Sequence, residues 1–132
     1  MIVCHDNLEA SVWAGIELKT TFAAPFIGFT VKDGPAIVGA VIFNGWTDHN
    51  IDMTGVGMGC WSPKVIRYLA RYCFRTLGVK RVSAQTRASN TKAQHALESM
   101  GFQREGFCED WFPDGEPAVL YGLLARNQRL VR

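Results

Sequence analysis

From Ser62 to Gly78 the chain spells out a whole helix, start to stop, between two runs that read as strands. Ser62 fits the N-cap, and Pro63 the first helical position, where its missing N–H costs the helix nothing. Val65, Ile66, Leu69, Ala70, Cys73, Phe74 and Leu77 recur on one stripe, and Gly78 supplies the stop. The flanking runs, Ile51 to Met58 and Val79 to Thr86, are expected strands. Strands joined through a helix lie parallel in one sheet, linked by a right-handed crossover. Strand ends and a helix N-terminus then converge, and unpaired N–H groups with the positive end of the helix dipole make an anion site there. Glycines in the latter half of Ile51–Met58 point to a bulge or to a backbone that a ligand approaches closely.

The other elements fall into order around this unit. Ile2 to Cys4 reads as a short strand, and Asn7 as the cap of a helix with Leu8, Val12, Ile16 and Trp13 on one apolar face. Phe26 to Val31 and Ala36 to Phe43 form a hairpin about Lys32-Asp33-Gly34-Pro35, and Thr47 to Asn50 is a second turn. Beyond Thr86, Asn90 to Met100 is a helix closed by Gly101, Phe102 to Phe112 a strand, and Pro113 to Glu116 a turn into a last strand through Val119 to Leu124. The pattern β-α-β-β-β-α-β-α-β-β gives an α+β fold whose sheet is mixed: antiparallel through the hairpins, parallel at the crossover.

The 132 residues fit one domain, 1–132, and 48% hydrophobic with 20% charged residues is globular rather than disordered. A formal charge of +2 gives no bulk case for nucleic-acid binding. The run Arg67, Arg71, Arg75 with Lys80 and Arg81 offers a local one, although such a helical stripe is ordinarily a solvated face. Cys4, Cys60, Cys73 and Cys108 show no C-x-x-C pair and no zinc spacing, so no structural metal is expected. With no secretory signal and no membrane-spanning stretch, the expectation is a reduced cytoplasmic setting without membrane contact.

The carboxyl-terminal half carries a more specific pattern. The run Tyr72 to Val82, then Asn90-x-x-Ala93, then Leu97-Glu98-Ser99-Met100-Gly101-Phe102-x-x-Glu105-Gly106, then the turn at Asp114-Gly115 and the strand with Tyr121, resembles the GNAT superfamily of N-acetyltransferases. Within it the pattern is most similar to the branch acetylating ribosomal-protein N-termini and to short phage-encoded relatives. The resemblance covers roughly residues 51 to 125. It implies that acetyl-coenzyme A lies in a V-shaped gap between the strands at Ile51–Met58 and Arg81–Thr86. Met53, Thr54 and Val56 would then face the pantetheine arm and thioester, Trp61, Ser62, Lys64 and Val65 the pyrophosphate, and Asn90 the pantetheine arm from beyond the second strand. An amine-bearing acceptor, small molecule or protein N-terminus, is implied, and a homodimer is common in the superfamily.

One stretch departs from that pattern. The usual phosphate loop, [QR]-x-x-G-x-[GA], is replaced by Gly57-Met58-Gly59-Cys60-Trp61-Ser62-Pro63-Lys64, with the Ser62 hydroxyl and Lys64 left to make good the lost contacts. A tyrosine common in the superfamily as general acid falls at Leu97, leaving Ser99, Tyr121 or water to protonate the thiolate. Asp52, His49, Glu109 and Asp110 are possible bases, with a solvent-facing carboxylate as the plain alternative for Asp52. Cys60 precedes a helix N-terminus, where a thiol is activated, but no acid or His stands near it in sequence. Trp46, Trp61, Trp111 and Phe112 are available to line an acceptor pocket. Two functions follow: an acyl-coenzyme A-dependent N-acyltransferase, or a catalytically silent fold of the same kind that serves binding or assembly.

Overall fold

The computed structural model describes residues 1–131. The chain runs β1 (Ile2–His5), α1 (Asn7–Leu18), β2 (Ile27–Asp33), β3 (Ala36–Asn44), β4 (Asn50–Val56), a 3-10 turn (Met58–Trp61), α2 (Pro63–Arg71) with a π-helical extension (Tyr72–Leu77), β5 (Arg81–Arg87), α3 (Thr91–Ser99), β6 (Gln103–Cys108) and β7 (Ala118–Leu124). The seven strands form one sheet in the order β1-β2-β3-β4-β5-β7-β6. Every neighbouring pair is antiparallel except β4 and β5, which are parallel. The fold is therefore α+β with a mixed, mostly antiparallel sheet, as the element pattern predicts.

The two faces of the sheet are covered unequally. On one, Val65 and Leu69 of α2 and Leu97 of α3 pack on Phe29, Val41, Phe43, Ile51, Val82 and Leu123. Phe29 and Phe43 meet edge to face at 6.1 Å, a geometry that adds about 0.5–1.5 kcal/mol to the area they bury. The other face carries α1 alone, seated through Ala10 and Ala14 on Ala40 and Ile42. Alternation along β3 sends its residues to these two cores in turn.

The orientation of α1 corrects the sequence reading. Leu8, Val12 and Ile16 are 75%, 52% and 72% exposed, while Ala10 and Ala14 are fully buried. A Cβ at Gly28 would stand 2.8 Å from that of Ala10, so helix and strand approach where neither carries bulk. Close seating of the backbone outweighs burial of the larger side chains. The cap is also one residue earlier than expected: Asp6 accepts from the Glu9 N–H at 2.9 Å, while the Asn7 side chain accepts from the Gly28 N–H at 2.8 Å and ties α1 to β2.

Two strands stop short of their expected ends. β4 ends at Val56 because Gly57, at φ +86°, turns the chain, and β6 ends at Cys108 ahead of a turn in which Asp110 takes φ +50°. Ser62 caps α2 as expected, its Oγ accepting from the Val65 N–H at 3.3 Å, and Arg67, Arg71 and Arg75 lie on its exposed side. No helix of the described residues is long and apolar enough to cross a membrane.

Candidate active site

The parallel pair at the centre of the sheet is incomplete. β4 and β5 are in register at Asn50–Arg81, Ile51–Val82, Asp52–Ser83 and Met53–Ala84, and there the pairing ends. Both strands continue, β4 to Val56 along β3 and β5 to Arg87 along β7, without bonding each other. From Thr54 and Gln85 onward a gap therefore opens within the sheet. Strand edges left without a ladder partner offer N–H and C=O groups to an extended ligand carrying amides of its own.

The narrow end of the gap is held shut. Lys80 and Arg81 both donate their N–H to the His49 carbonyl, at 2.9 and 3.0 Å. On the face of the sheet opposite α2, the Ser83 hydroxyl donates to Asn50 Oδ1 at 2.7 Å and accepts from Arg81 Nε at 3.1 Å. Arg81 also forms a bidentate ion pair with Glu105, which raises the guanidinium pKa and lowers that of the carboxyl through their hydrogen bonds. A bulge between Arg104 and Gly106 leaves Glu105 without a register partner on β7. Arg81 and Glu105, both among the residues that carry the sequence resemblance, are thus partners of each other.

A second cluster lies at the wide end, where β5 finishes. Arg87 Nη1 reaches Asp114 at 2.8 Å and Glu116 at 2.9 Å, and its guanidinium stands 4.4 Å over the Phe112 ring. Glu116 also accepts from the Ser89 N–H at 2.9 Å. Bonds from Ser89 and the Arg87 guanidinium pull the Glu116 carboxyl down to about 2. This clamp fastens the end of β5 to the β6–β7 turn, on the side away from β4. Sequence reading marks the turn at Asp114-Gly115 but nothing in it names Arg87 as partner.

Four of the residues that the resemblance names lie at the gap itself. Met53 is the last paired residue of β4 and packs toward the α2 core; Thr54 and Val56 follow where the pairing has ended, Val56 against the α1 core. Asn90 caps α3 just beyond β5, its Oδ1 accepting from the Ala93 N–H at 3.1 Å, which leaves the amide nitrogen as the donor to offer.

The helix start shows where the unusual loop goes. Gly39, Gly57 and Gly59 fold the turn Met58–Trp61 back onto β3: a Cβ at Gly57 would stand 2.6 Å from the Val38 carbonyl oxygen, one at Gly59 2.6 Å from Val38 Cγ2, and one at Gly39 2.8 Å from the Cys60 nitrogen. These glycines serve close packing of backbone on backbone. Of the first donors of α2, Pro63 has none, Val65 gives its N–H to Ser62 Oγ and Ile66 to the Ser62 carbonyl, leaving the Lys64 N–H without an acceptor among the described residues. The Val65 side chain is buried, whereas Lys64 is exposed. The half-buried indole of Trp61 lies across β4 at Gly55. The donors these residues leave without a partner are a strand edge, the Lys64 N–H and ammonium and the Asn90 amide.

The acid–base residues are more dispersed. Asp52 is half-buried one pair before the gap opens, on the face opposite Ile51, and its Oδ1 stands 3.5 Å from Asn50 Nδ2. Tyr121 lies opposite Ala84 and is 1% exposed. Its hydroxyl donates to Glu98 at 2.6 Å and accepts from Arg104 at 3.4 Å; burial, then the Glu98 carboxylate, raises its pKa. Ser99 is exposed on the last turn of α3 and donates to the Ala96 carbonyl at 2.8 Å, roughly 13 Å along the helix from Asn90. Glu109 and Asp110 are exposed at the β6–β7 turn, and His49 at the narrow end. The aromatics are split: Trp46 stands at the narrow end, and Trp111 and Phe112 by the wide end. Burial pushes the Cys60 thiol up to about 12, and its Sγ donates to the Gly57 carbonyl, so it holds the turn and is no thiolate nucleophile.

No family model matches the chain, and no curated protein does. Solved structures match well. The spermidine/spermine N-acetyltransferase SpeG from Vibrio cholerae is 13% identical with a TM-score of 0.76, over 95% of each chain. An acetyltransferase of the GNAT family from Bacillus anthracis is 16% identical with a TM-score of 0.63, over 86% of this chain and 82% of that one. A crystal structure provisionally assigned as an acetyltransferase is 23% identical with a TM-score of 0.69; the match covers 80% of this chain and only 60% of that longer one. With the interrupted parallel pair and the helix that follows β4, these likenesses settle the architecture: the chain has the GNAT fold.

Proposed function

We propose that the protein is an acyl-coenzyme A-dependent N-acyltransferase that moves an acetyl group from acetyl-coenzyme A to an amine by direct attack. The observation that carries this reading is the end of β4–β5 pairing at Met53 and Ala84. An unpaired strand edge, the start of α2 and Asn90 then surround one gap. In it the backbone of Thr54 to Val56 aligns the pantetheine arm, Lys64 and the capped end of α2 receive the pyrophosphate, and Asn90 donates from the β5 side. Asp52, beside the narrow end, is the carboxylate placed to take the proton of an incoming ammonium. The amine nitrogen bonds to the acyl carbon and gives its surplus proton to water, the carbon–sulfur bond breaks, and the thiolate takes a proton from water, since the Tyr121 hydroxyl is engaged with Glu98.

The acceptor class is an amine. SpeG, by its name, acts on spermidine and spermine, whereas the finer sequence resemblance points to a protein N-terminus. Incubation with acetyl-coenzyme A and either a polyamine panel or short peptides, read by product mass, tests the reaction and separates the two. Acetylated product from either set supports it; neither product nor release of coenzyme A across both sets refutes it.

A second reading, a silent GNAT fold used for binding, is favoured by one observation: the glycines after β4 pack the turn on Val38 instead of encircling phosphate. It predicts a folded protein with no coenzyme affinity.

A further inference from the structure

Charge is sorted along this chain. Eight of the fourteen Lys and Arg fall between Asp52 and Glu98, and none of the twelve Asp and Glu does. Two of the eight have carboxylate partners, Arg81 in Glu105 and Arg87 in Asp114 and Glu116. Arg67, Arg71 and Arg75 are exposed at i, i+4 and i+8 on α2 and its π-helical extension, and no carboxylate among the described residues pairs with them. A solvated helix face ordinarily mixes its signs, since like charges at that spacing destabilise the helix. The row also continues past the helix end. The Ala125 N–H donates to the Lys80 carbonyl at 2.9 Å, and Leu130 lies with Ala70 and Phe74 around one small apolar cavity. The Gln128 side chain keeps that tail folded, accepting from the Leu130 and Val131 N–H groups at 2.8 Å. Exposed Lys80, Arg126 and Arg129 are thereby set beside the end of α2.

We infer that this face binds the phosphate backbone of a single-stranded nucleic acid, a role separate from acyl transfer. Five of its six cations are arginine, whose planar fork takes a phosphate through two hydrogen bonds and is more weakly hydrated than an ammonium. Successive arginines on the helix stand roughly 6 Å apart along its axis, so each meets a phosphate of its own. Tyr68 is 46% exposed next to Arg67 and one turn from Arg71. Its ring meets Phe29 edge to face at 6.1 Å, which fixes it as a platform for a base to stack on. Only an unpaired strand leaves bases free to do so. A lipid surface calls for an apolar side to insert, and Tyr68 is the one large apolar side chain exposed on α2 among the described residues. The whole chain carries only +2, so attraction comes from this face and not from bulk charge.

Fluorescence anisotropy of labelled oligo-dT and oligo-rU of about 20 nucleotides, from about 50 to about 200 mM salt, tests this on variants shown to be folded by circular dichroism. The expected result is affinity for at least one strand, the tighter of the two naming the sugar. On logarithmic axes it falls with salt at a slope of about −4, from six phosphates at about 0.7 each. Arg71→Gln with Arg75→Gln reduces that slope by more than about 1, whereas Lys19→Asn, at the end of α1, leaves it unchanged. Tyr68→Ala weakens binding about fivefold or more at the same slope, and Tyr68→Phe restores it. Saturating acetyl-coenzyme A does not displace the strand. No binding to either strand at about 50 mM salt overturns the proposal. So does a slope that the double arginine variant leaves unchanged, equal affinity for poly-glutamate, or binding to phosphatidylserine vesicles alone. Displacement by acetyl-coenzyme A would put the strand in the gap and overturns it too.

Discussion

The indole of Trp61 lies on Gly55: its Cη2 is 3.2 Å from where a Cβ on that residue would stand, with Cys60 Sγ at 3.3 Å. The last turn before α2 is thus keyed to β4 at the edge of the gap through the absence of a side chain. Gly55→Val is expected to push the ring aside at a cost of about 1–3 kcal/mol, the range for overpacking. Paired with Trp61→Ala it should cost less than the two changes summed, because the clash has gone. Urea unfolding of the single and double variants measures both.

Ser62 has two tasks that substitution separates. Ser62→Ala removes the acceptor of the Val65 N–H and is expected to cost about 0.5–2 kcal/mol. Ser62→Asp keeps the cap and so the stability, but sets a carboxylate against the phosphates. Thermal melts should leave Ser62→Asp near wild type while its affinity for acetyl-coenzyme A falls about tenfold or more, whereas Ser62→Ala loses stability first.

Asp52 stands apart from the coenzyme contacts proposed here. Asp52→Asn is expected to lower kcat by about 10²–10⁴-fold and leave acetyl-coenzyme A binding within a few-fold of wild type. A variant with unchanged turnover would make Asp52 an ordinary surface carboxylate.

How far the sequence carries the account depends on range. Local signals were legible: Ser62 and Asn90 cap the helices at which the chain places them, and all ten elements appear in the expected order. What escaped was set by partners distant in sequence. Periodicity gives α1 its Leu8-Val12-Ile16 stripe but cannot say that Gly28 lets Ala10 sit closer. The glycines after β4 announce a close approach without revealing that the approach is to Val38. Glu105 stands in a recognisable run, yet its ion pair with Arg81 arises only when a bulge and the strand order bring β5 and β6 to either side of β7.

Acid should loosen the wide end of the gap first. The Glu116 carboxyl is held at about 2, below its ordinary value of 4.5. A carboxyl whose folded pKa is depressed contributes stability that is complete above the unfolded value and lost as pH falls through the folded one. The Arg87 clamp is therefore expected to weaken progressively from about pH 4.5 to about pH 2. Melting temperature across that window should fall less steeply for Glu116→Gln than for the wild type.

Direct attack needs no enzyme-bound acyl group, and Cys60 bears on that. With its thiol pushed up to about 12 by burial, Cys60→Ala is expected to keep kcat within a few-fold while losing about 1 kcal/mol of stability for the buried bond to Gly57. A loss of turnover beyond a hundredfold in a folded variant would favour a covalent route.

Every role proposed for these residues requires the gap between β4 and β5 to receive acetyl-coenzyme A. Isothermal titration of the wild-type chain with acetyl-coenzyme A, repeated on Ser62→Asp, tests that most directly. The prediction is saturable one-to-one binding that Ser62→Asp weakens about tenfold or more. Wild-type protein, folded by circular dichroism, that releases no heat of binding at millimolar acetyl-coenzyme A would contradict it.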